Sequence, residues 1–212
     1  MRVILASTSP RRRELLGLLK IPFEVVAPAF EEGNHAGEKP AQLACTLASG
    51  KALSCVDRYP DSLVLGSDTL IALDSETLGK PEDEADAAKM LRRLRGRRHL
   101  IHSAVALWRN RDDPMSVAVE SVQVWMRGFT DHELTEYLHT GEWRGRAGAY
   151  SIQGVGGQLI ERIEGDYTAA VGLPLRLVAS LLATQGVVLP IEIESLYRAM
   201  PYPNWSRFAA TP

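Results

Sequence analysis

The segment Arg2-Val3-Ile4-Leu5-Ala6-Ser7-Thr8-Ser9-Pro10-Arg11-Arg12-Arg13-Glu14-Leu15-Leu16 runs from an apolar strand directly into a helix. Arg2 to Ala6 has the apolar character of a buried strand. Ser9 can accept hydrogen bonds from the first free amides of a helix, Pro10 suits its first turn, and Gly17 marks its end. The rest of the chain keeps to this alternation, which is the pattern of an α/β fold. Phe23 to Ala27 reads as a second strand. Pro40 opens a long helix to about Arg58, with Leu43, Ala44, Leu47, Ala48 and Ala52 at helical spacing. Leu63-Val64-Leu65-Gly66 and Leu70-Ile71-Ala72-Leu73 read as one strand broken at Ser67-Asp68-Thr69, and breaks of that kind often serve a site.

Farther along, Pro81 starts a helix that is acidic early and basic late, as its macrodipole favours, and Gly96 stops it. Leu100 to Trp108 and Val117 to Met126 read as long strands, the second losing its alternation near Glu120-Ser121, which predicts a bulge there. Thr130-Asp131-His132-Glu133 is a capping box for a helix to about His139. Six of the 17 glycines crowd into 141–157, before a strand at Gln158 to Ile163 and a helix from Pro174 to Thr184. The remaining residues to Pro212 show no periodicity.

Composition bounds the function. The chain has 212 residues, 24 Lys+Arg against 26 Asp+Glu, and 45% hydrophobic residues. This length buries a core without help from metal or disulfide. Balanced charge argues against a dedicated duplex-DNA binder and predicts no stable nucleic-acid partner. No apolar run approaches the ~18 residues of a membrane span, and Val3 to Ala6 is too short for a signal-peptide core, so a cytoplasmic location with no membrane partner is expected. Cys45 and Cys55 fall ten residues apart on one predicted helix, roughly 15 Å at the rise of an α-helix, too far for a disulfide.

Four constellations can carry chemistry. At the first strand-to-helix junction, Arg11, Arg12 and Arg13 sit at the wrong end of a helix dipole unless an anion lies there too; a solvated helix start is the alternative. Lys80, in Gly79-Lys80-Pro81, is placed just as poorly before its helix. Asp68 beside a bound anion would be a general base or metal ligand, although alone it is equally a turn residue bonding its own backbone. Glu31-Glu32 reads as an exposed acidic loop unless a divalent cation bridges Glu32 to a phosphate. Lys51 falls near the small-residue face of its helix, with snorkelling to the surface as the default. In Gly148-Ala149-Tyr150-Ser151-Ile152-Gln153-Gly154, Gln153 offers both a donor and an acceptor to a nucleobase edge. The five histidines make no convincing metal site, and no nucleophile motif occurs.

Leu5 to Leu16, Gly66-Ser67-Asp68-Thr69, Gly79-Lys80-Pro81 and Gly148 to Gly154 closely resemble, in order and spacing, the Maf family of nucleoside triphosphate pyrophosphatases, from Met1 to about Gln185. The resemblance implies an elongated two-lobed α/β fold of the Maf/ITPase-like type, with a substrate cleft between lobes around a twisted mixed sheet. It divides the chain into a Maf-like domain over 1–186 and a tail over 187–212 of unknown role. It also implies a divalent cation, Mg²⁺ or Mn²⁺, and commonly a homodimer.

By the same resemblance, Ser7, Arg12, Lys51 and Lys80 match positions that bind a triphosphate. Glu32 and Asp68 match acidic positions, Glu32 assigned mainly to metal and Asp68 to activation of water, with the metal shared if both reach it. Arg11, Thr69 and Gln153 resemble the specificity code of the subgroup acting on dTTP and UTP. The implied reaction is water attack on the α-phosphorus, giving the monophosphate and pyrophosphate. Two alternatives stay open: house-cleaning of modified pyrimidine nucleotides, and a non-catalytic nucleotide-sensing regulator linked to septum formation. Ser103 and Ala104 stand where relatives more often show a threonine.

Overall fold

The computed structural model describes residues 2–31, 33, 35, 37–109 and 113–209. The chain begins with β1 (Arg2–Ala6), α1 (Pro10–Gly17), β2 (Phe23–Val26) and α2 (Pro40–Val56). It continues through β3 (Ser62–Leu73), β4 (Glu76–Leu78), α3 (Glu84–Leu94), β5 (Arg98–Trp108), β6 (Ser116–Met126) and α4 (Asp131–His139). It closes with β7 (Ile160–Glu164), α5 (Tyr167–Val171), α6 (Leu175–Thr184), α7 (Ile193–Ala199) and α8 (Trp205–Phe208). Among the described residues these strands form one mixed sheet of seven, ordered β2-β1-β3-β5-β6-β7, with β4 paired to β3. The β1 pairs are parallel and the others antiparallel. This is the α/β fold expected from the alternation.

Each face of the sheet buries its own core. One face packs on α2, where Ala44, Ala48 and Ala52 meet Ile4, Val64, Ala104 and Ala106. Small side chains on both partners bring this helix close to the sheet. The other face carries the larger core, in which Leu15, Leu91, Val105, Val122, Leu175 and Leu182 are fully or nearly fully buried. Cys55 is buried in the α2 core, Cys45 is half-buried, and both are free thiols. No helix among the described residues is long and apolar enough to cross a membrane.

Four sequence expectations are corrected. First, β3 is unbroken: it pairs with β5 from Val64 to Ala72 without a register shift. Second, β6 pairs with β5 from Ser116 to Trp125 with no bulge at Glu120-Ser121; the irregularity lies between Trp125 and Met126, opposite β7. Alternation fades in the first half of β6 because those side chains are half-buried or exposed on either face, so neither enforces a period of two. Third, α3 starts at Glu84 rather than Pro81, since the Asp83 carboxylate accepts from Asp86 N at 2.8 Å and fixes the cap. Fourth, the described part of the tail holds two helices, α7 and α8, each too short to display a helical period. The capping box at Thr130 and Glu133 forms as read.

Candidate active site

Asp68 and Thr69 on β3 line a cavity because of the strands beside them. On the edge away from β5, β3 pairs with β1 as far as Gly66 and with β4 from Ile71 onward. Among the described residues, 67–70 therefore have no strand partner on that edge. The opening lies at the carboxyl end of β1, where Ser7 leads into α1, a recurrent place for ligands in α/β sheets. A cavity of about 660 Å³ fills it.

That cavity gathers residues far apart in sequence. Ser7, Arg11 and Arg12 come from the β1–α1 junction, Lys51 from α2, Asp68 and Thr69 from β3, Lys80 from the turn after β4, and Gln153 from the glycine-rich segment. These are all of the candidate residues except Glu32, which lies outside the described residues. A backbone bond from Gly148 N to Gly79 O, 3.0 Å, ties the glycine-rich segment to the Lys80 turn.

The junction is pre-ordered by its own hydroxyls. Ser9 caps α1, its side chain accepting from Arg12 N, and Ser7 Oγ accepts from Ser9 N at 3.2 Å. Arg12 then reaches across the cavity: its Nε donates to Gly172 O and its Nη2 to Thr69 Oγ1, each at 3.1 Å. Gly172 caps the end of α5 at φ 132°, a backbone state open to glycine at little cost, and so turns its carbonyl toward Arg12. The guanidinium plane is thus fixed before any ligand arrives.

The Lys51 ammonium donates to the Asp68 carboxylate, and both side chains are largely buried. Lys51 is therefore held in the site, and the snorkelling alternative fails. The approach that permits this pair depends on Gly66. A Cβ there would lie 2.2 Å from Ala48 O and 2.7 Å from Ala52 N, so only glycine lets α2 sit against β3 at this level.

Charge in the cavity is one-sided. Arg11, Arg12, Lys51, Lys80 and Arg146 line it, against the single carboxylate of Asp68 among the described lining residues. Burial, and then the neighbouring charges of Arg146 and Arg12, lower the Arg11 guanidinium to about 10. It remains a cation at neutral pH, held where cations repel one another. Such clustering is relieved by a bound polyanion.

Two contributors escaped the sequence reading. Arg146 carries no local signal, standing at the end of a turn among the glycines of 141–157; its Nε is buried with no hydrogen-bond partner among the described residues. Ser103, read only as a departure from relatives, is fully buried opposite Thr69 on β5. Its Oγ donates to Ala169 O at 2.6 Å and lies 2.9 Å from Thr69 Oγ1. It thereby couples the β3 site to α5. Ser103→Ala is expected to lower unfolding stability by about 1–3 kcal/mol, the cost of stranding a buried acceptor, measured as a shift in the urea midpoint.

Two histidines on β5 make buried or half-buried hydrogen bonds. His99 Nε2 lies 2.6 Å from the Tyr150 hydroxyl on the cavity wall, and burial lowers its ring to about 4, so it is neutral at pH 7. His102 bonds Ser121 Oγ at 2.8 Å.

Residues 2–185 match the family described as Maf-like protein. The dTTP/UTP pyrophosphatase of Dictyoglomus turgidum is 43% identical over 188 residues, covering 88% of this chain and 97% of that protein. The dTTP/UTP pyrophosphatase of Deinococcus radiodurans is 45% identical over 186 residues, covering 88% and 94%. Among solved structures, a HAM1 protein from Coxiella burnetii superposes with a TM-score of 0.51 at 16% identity, over 87% of this chain and 99% of that one, a likeness of fold. The continuous family match and these relatives, spanning the elements that build the cavity, establish that this chain belongs to the Maf family.

Proposed function

We propose that the protein is a nucleoside triphosphate pyrophosphatase that hydrolyses dTTP and UTP to the monophosphate and pyrophosphate. The observation that carries the reading is the cavity itself, where among the described lining residues five cationic side chains face one carboxylate at the open end of β1. A triphosphate brings the negative charge this arrangement lacks. The relatives' activity, dTTP/UTP pyrophosphatase, supports the same substrate class.

In this reading Arg12, Lys51, Lys80 and Ser7 bind the phosphates, and Asp68 takes the proton of the attacking water. The water oxygen forms the new bond to the α-phosphorus while the bond to the α–β bridging oxygen breaks, and pyrophosphate leaves. The cations stabilise the charge moving onto that leaving group. Arg146 adds a further positive charge to the wall. Arg12, already oriented by Gly172 and Thr69, loses little freedom on binding.

A divalent cation fits the donor set. Mg²⁺ and Mn²⁺ prefer oxygen ligands, and Mg²⁺ is commonly held by one or two carboxylates together with substrate phosphates. Asp68 supplies one such carboxylate, and Glu32, by resemblance, a second. The cation would neutralise phosphate charge and polarise the α-phosphorus. A cytoplasmic location and a homodimer accompany this reading by family resemblance.

Arg11, Thr69 and Gln153 set the base preference. A neutral amide can donate to a uracil or thymine carbonyl and accept from the ring N–H, whereas a carboxylate only accepts. Gln153→Glu is expected to reduce kcat/KM for UTP by about 10- to 100-fold and raise the relative rate with 7-methyl-GTP. Unchanged relative kcat/KM for the two nucleotides would remove Gln153 from the code.

The decisive assay is pyrophosphate release from dTTP, UTP, CTP, GTP, ATP, 7-methyl-GTP and 5-methyl-UTP with Mg²⁺ or Mn²⁺. Turnover favouring dTTP and UTP supports the proposal. Binding without turnover would transfer support to the regulator, which needs the cations but gives Asp68 no task. Turnover of 5-methyl-UTP above both would favour house-cleaning.

A further inference from the structure

The described tail packs back on the site through specific bonds, although it lies beyond the residues that match the family. Trp205 stacks on Tyr167 at 5.6 Å and meets Tyr197 edge-on at 4.9 Å, and the Tyr167 hydroxyl donates to Pro203 O. These contacts fix the turn at 202–204. From it, the Tyr202 hydroxyl donates to Glu14 on α1 at 2.6 Å. The Asn204 amide donates to Ile152 O at 2.8 Å and to Gly154 O at 3.1 Å, the carbonyls on either side of Gln153.

The same loop is held from its other side. The Glu142 carboxylate accepts from Val155 N at 3.1 Å and Gly156 N at 2.8 Å. Carbonyls before and after Gln153 are therefore bound by Asn204 while the following amides are bound by Glu142. Asn204 can reach this close because residue 157 is glycine: a Cβ there would lie 2.7 Å from its Nδ2. The tail thus grips two walls of the cavity at once, α1 with Arg11 and the loop with Gln153.

We propose that the tail is a specificity clamp, in which Asn204 is a positioning residue that holds Gln153 in register to read the pyrimidine base. The inference rests on the pyrophosphatase reading above. A base-reading amide discriminates only if its donor and acceptor are held in fixed orientation, since a freely turning amide matches uracil and cytosine alike.

The test compares wild type with Asn204→Gly, which keeps the left-handed backbone at φ 62° and removes the amide. Asn204→Asp is the second variant, keeping the shape but turning donors into acceptors. Two readouts are needed: amide hydrogen exchange of residues 151–157 in the ligand-free protein, and kcat/KM for UTP against CTP. In both variants, exchange across 151–157 is expected to accelerate about tenfold while β3 and β5 hold their rates, and the UTP-over-CTP preference to fall about tenfold. Loop exchange unchanged from wild type would overturn the clamp. Faster exchange throughout the core, or an unmoved UTP-to-CTP ratio, would reduce Asn204 to a stabilising contact and equally overturn it. If wild type turns over no nucleotide, the pyrophosphatase reading fails and takes the selectivity role with it; normal wild-type turnover with unchanged loop exchange sinks the clamp alone.

Discussion

Asp68→Asn is expected to lower kcat for UTP hydrolysis by about 10²- to 10⁴-fold, the range for loss of a general base. Asparagine keeps the shape of the side chain and an oxygen that can still accept from Lys51, so α2 and β3 have no cause to part. What it cannot do is take the proton of the attacking water. It also removes a negative charge from a cavity that must admit a triphosphate, so nucleotide affinity measured without a divalent cation should hold or rise, whereas affinity that depends on the cation should fall with the loss of its carboxylate. The check is pyrophosphate release beside equilibrium binding of UTP. Lost turnover with retained binding and an unchanged thermal midpoint assigns the chemistry to this carboxylate. Wild-type turnover would leave Asp68 no part in the proton transfer.

Gly66→Ala should be costly in both stability and activity, although it adds a single methyl. The new Cβ would lie 2.2 Å from Ala48 O, and backbone cannot swing aside as a side chain can. For an ordinary contact α2 must retreat by about 1 Å, a core overpacking worth about 1–3 kcal/mol. Lys51 rides on that helix, so its pairing with Asp68 is displaced with it. Misplacement of catalytic groups by ~1 Å can cost ~10²-fold in kcat/KM, the loss expected here. Gly17→Ala is the control: its Cβ meets nothing within 4 Å, and it should match wild type in urea midpoint and rate. If Gly66→Ala also matches wild type, the closeness of α2 to β3 does not set the geometry of the pair.

The first strand and helix were legible because their signals are local: an apolar run, a capping serine and a proline in the first turn, all within contact of one another. Arg11, Arg12, Lys80 and Asp68, which line the cavity, were legible for another reason. Cations before helix starts and an acid between two apolar runs contradict local stability, and such conflicts mark sites. Ser103 carried no conflict of that kind. A serine in a strand is unremarked in sequence, and its importance came from the strand pairing that set it opposite Thr69.

The interruption at Ser67-Asp68-Thr69 shows where local reading stops. Sequence registered a real discontinuity but assigned it to the wrong strand: β3 runs on, and what ends is β1 beside it. A strand's own residues report how its side chains are buried, whereas the neighbour on each edge is chosen by the register of distant segments. The same limit hid the tail. Its aromatics are visible, but that Asn204 bonds the carbonyls flanking Gln153 follows from a turn held by Tyr167 and Trp205.

By itself, then, the sequence determined the α/β alternation, the caps of α1 and α4 and most of the charged groups suited to a phosphate ligand, because each depends on neighbours within a few residues. Tertiary structure alone decided that β3 has no strand beside 67–70 among the described residues, that Gly66 admits α2 so that Lys51 meets Asp68, and that the tail closes on the loop carrying Gln153. Each of these is a contact between segments remote in the chain, fixed by packing of the whole fold rather than by the preference of any one residue.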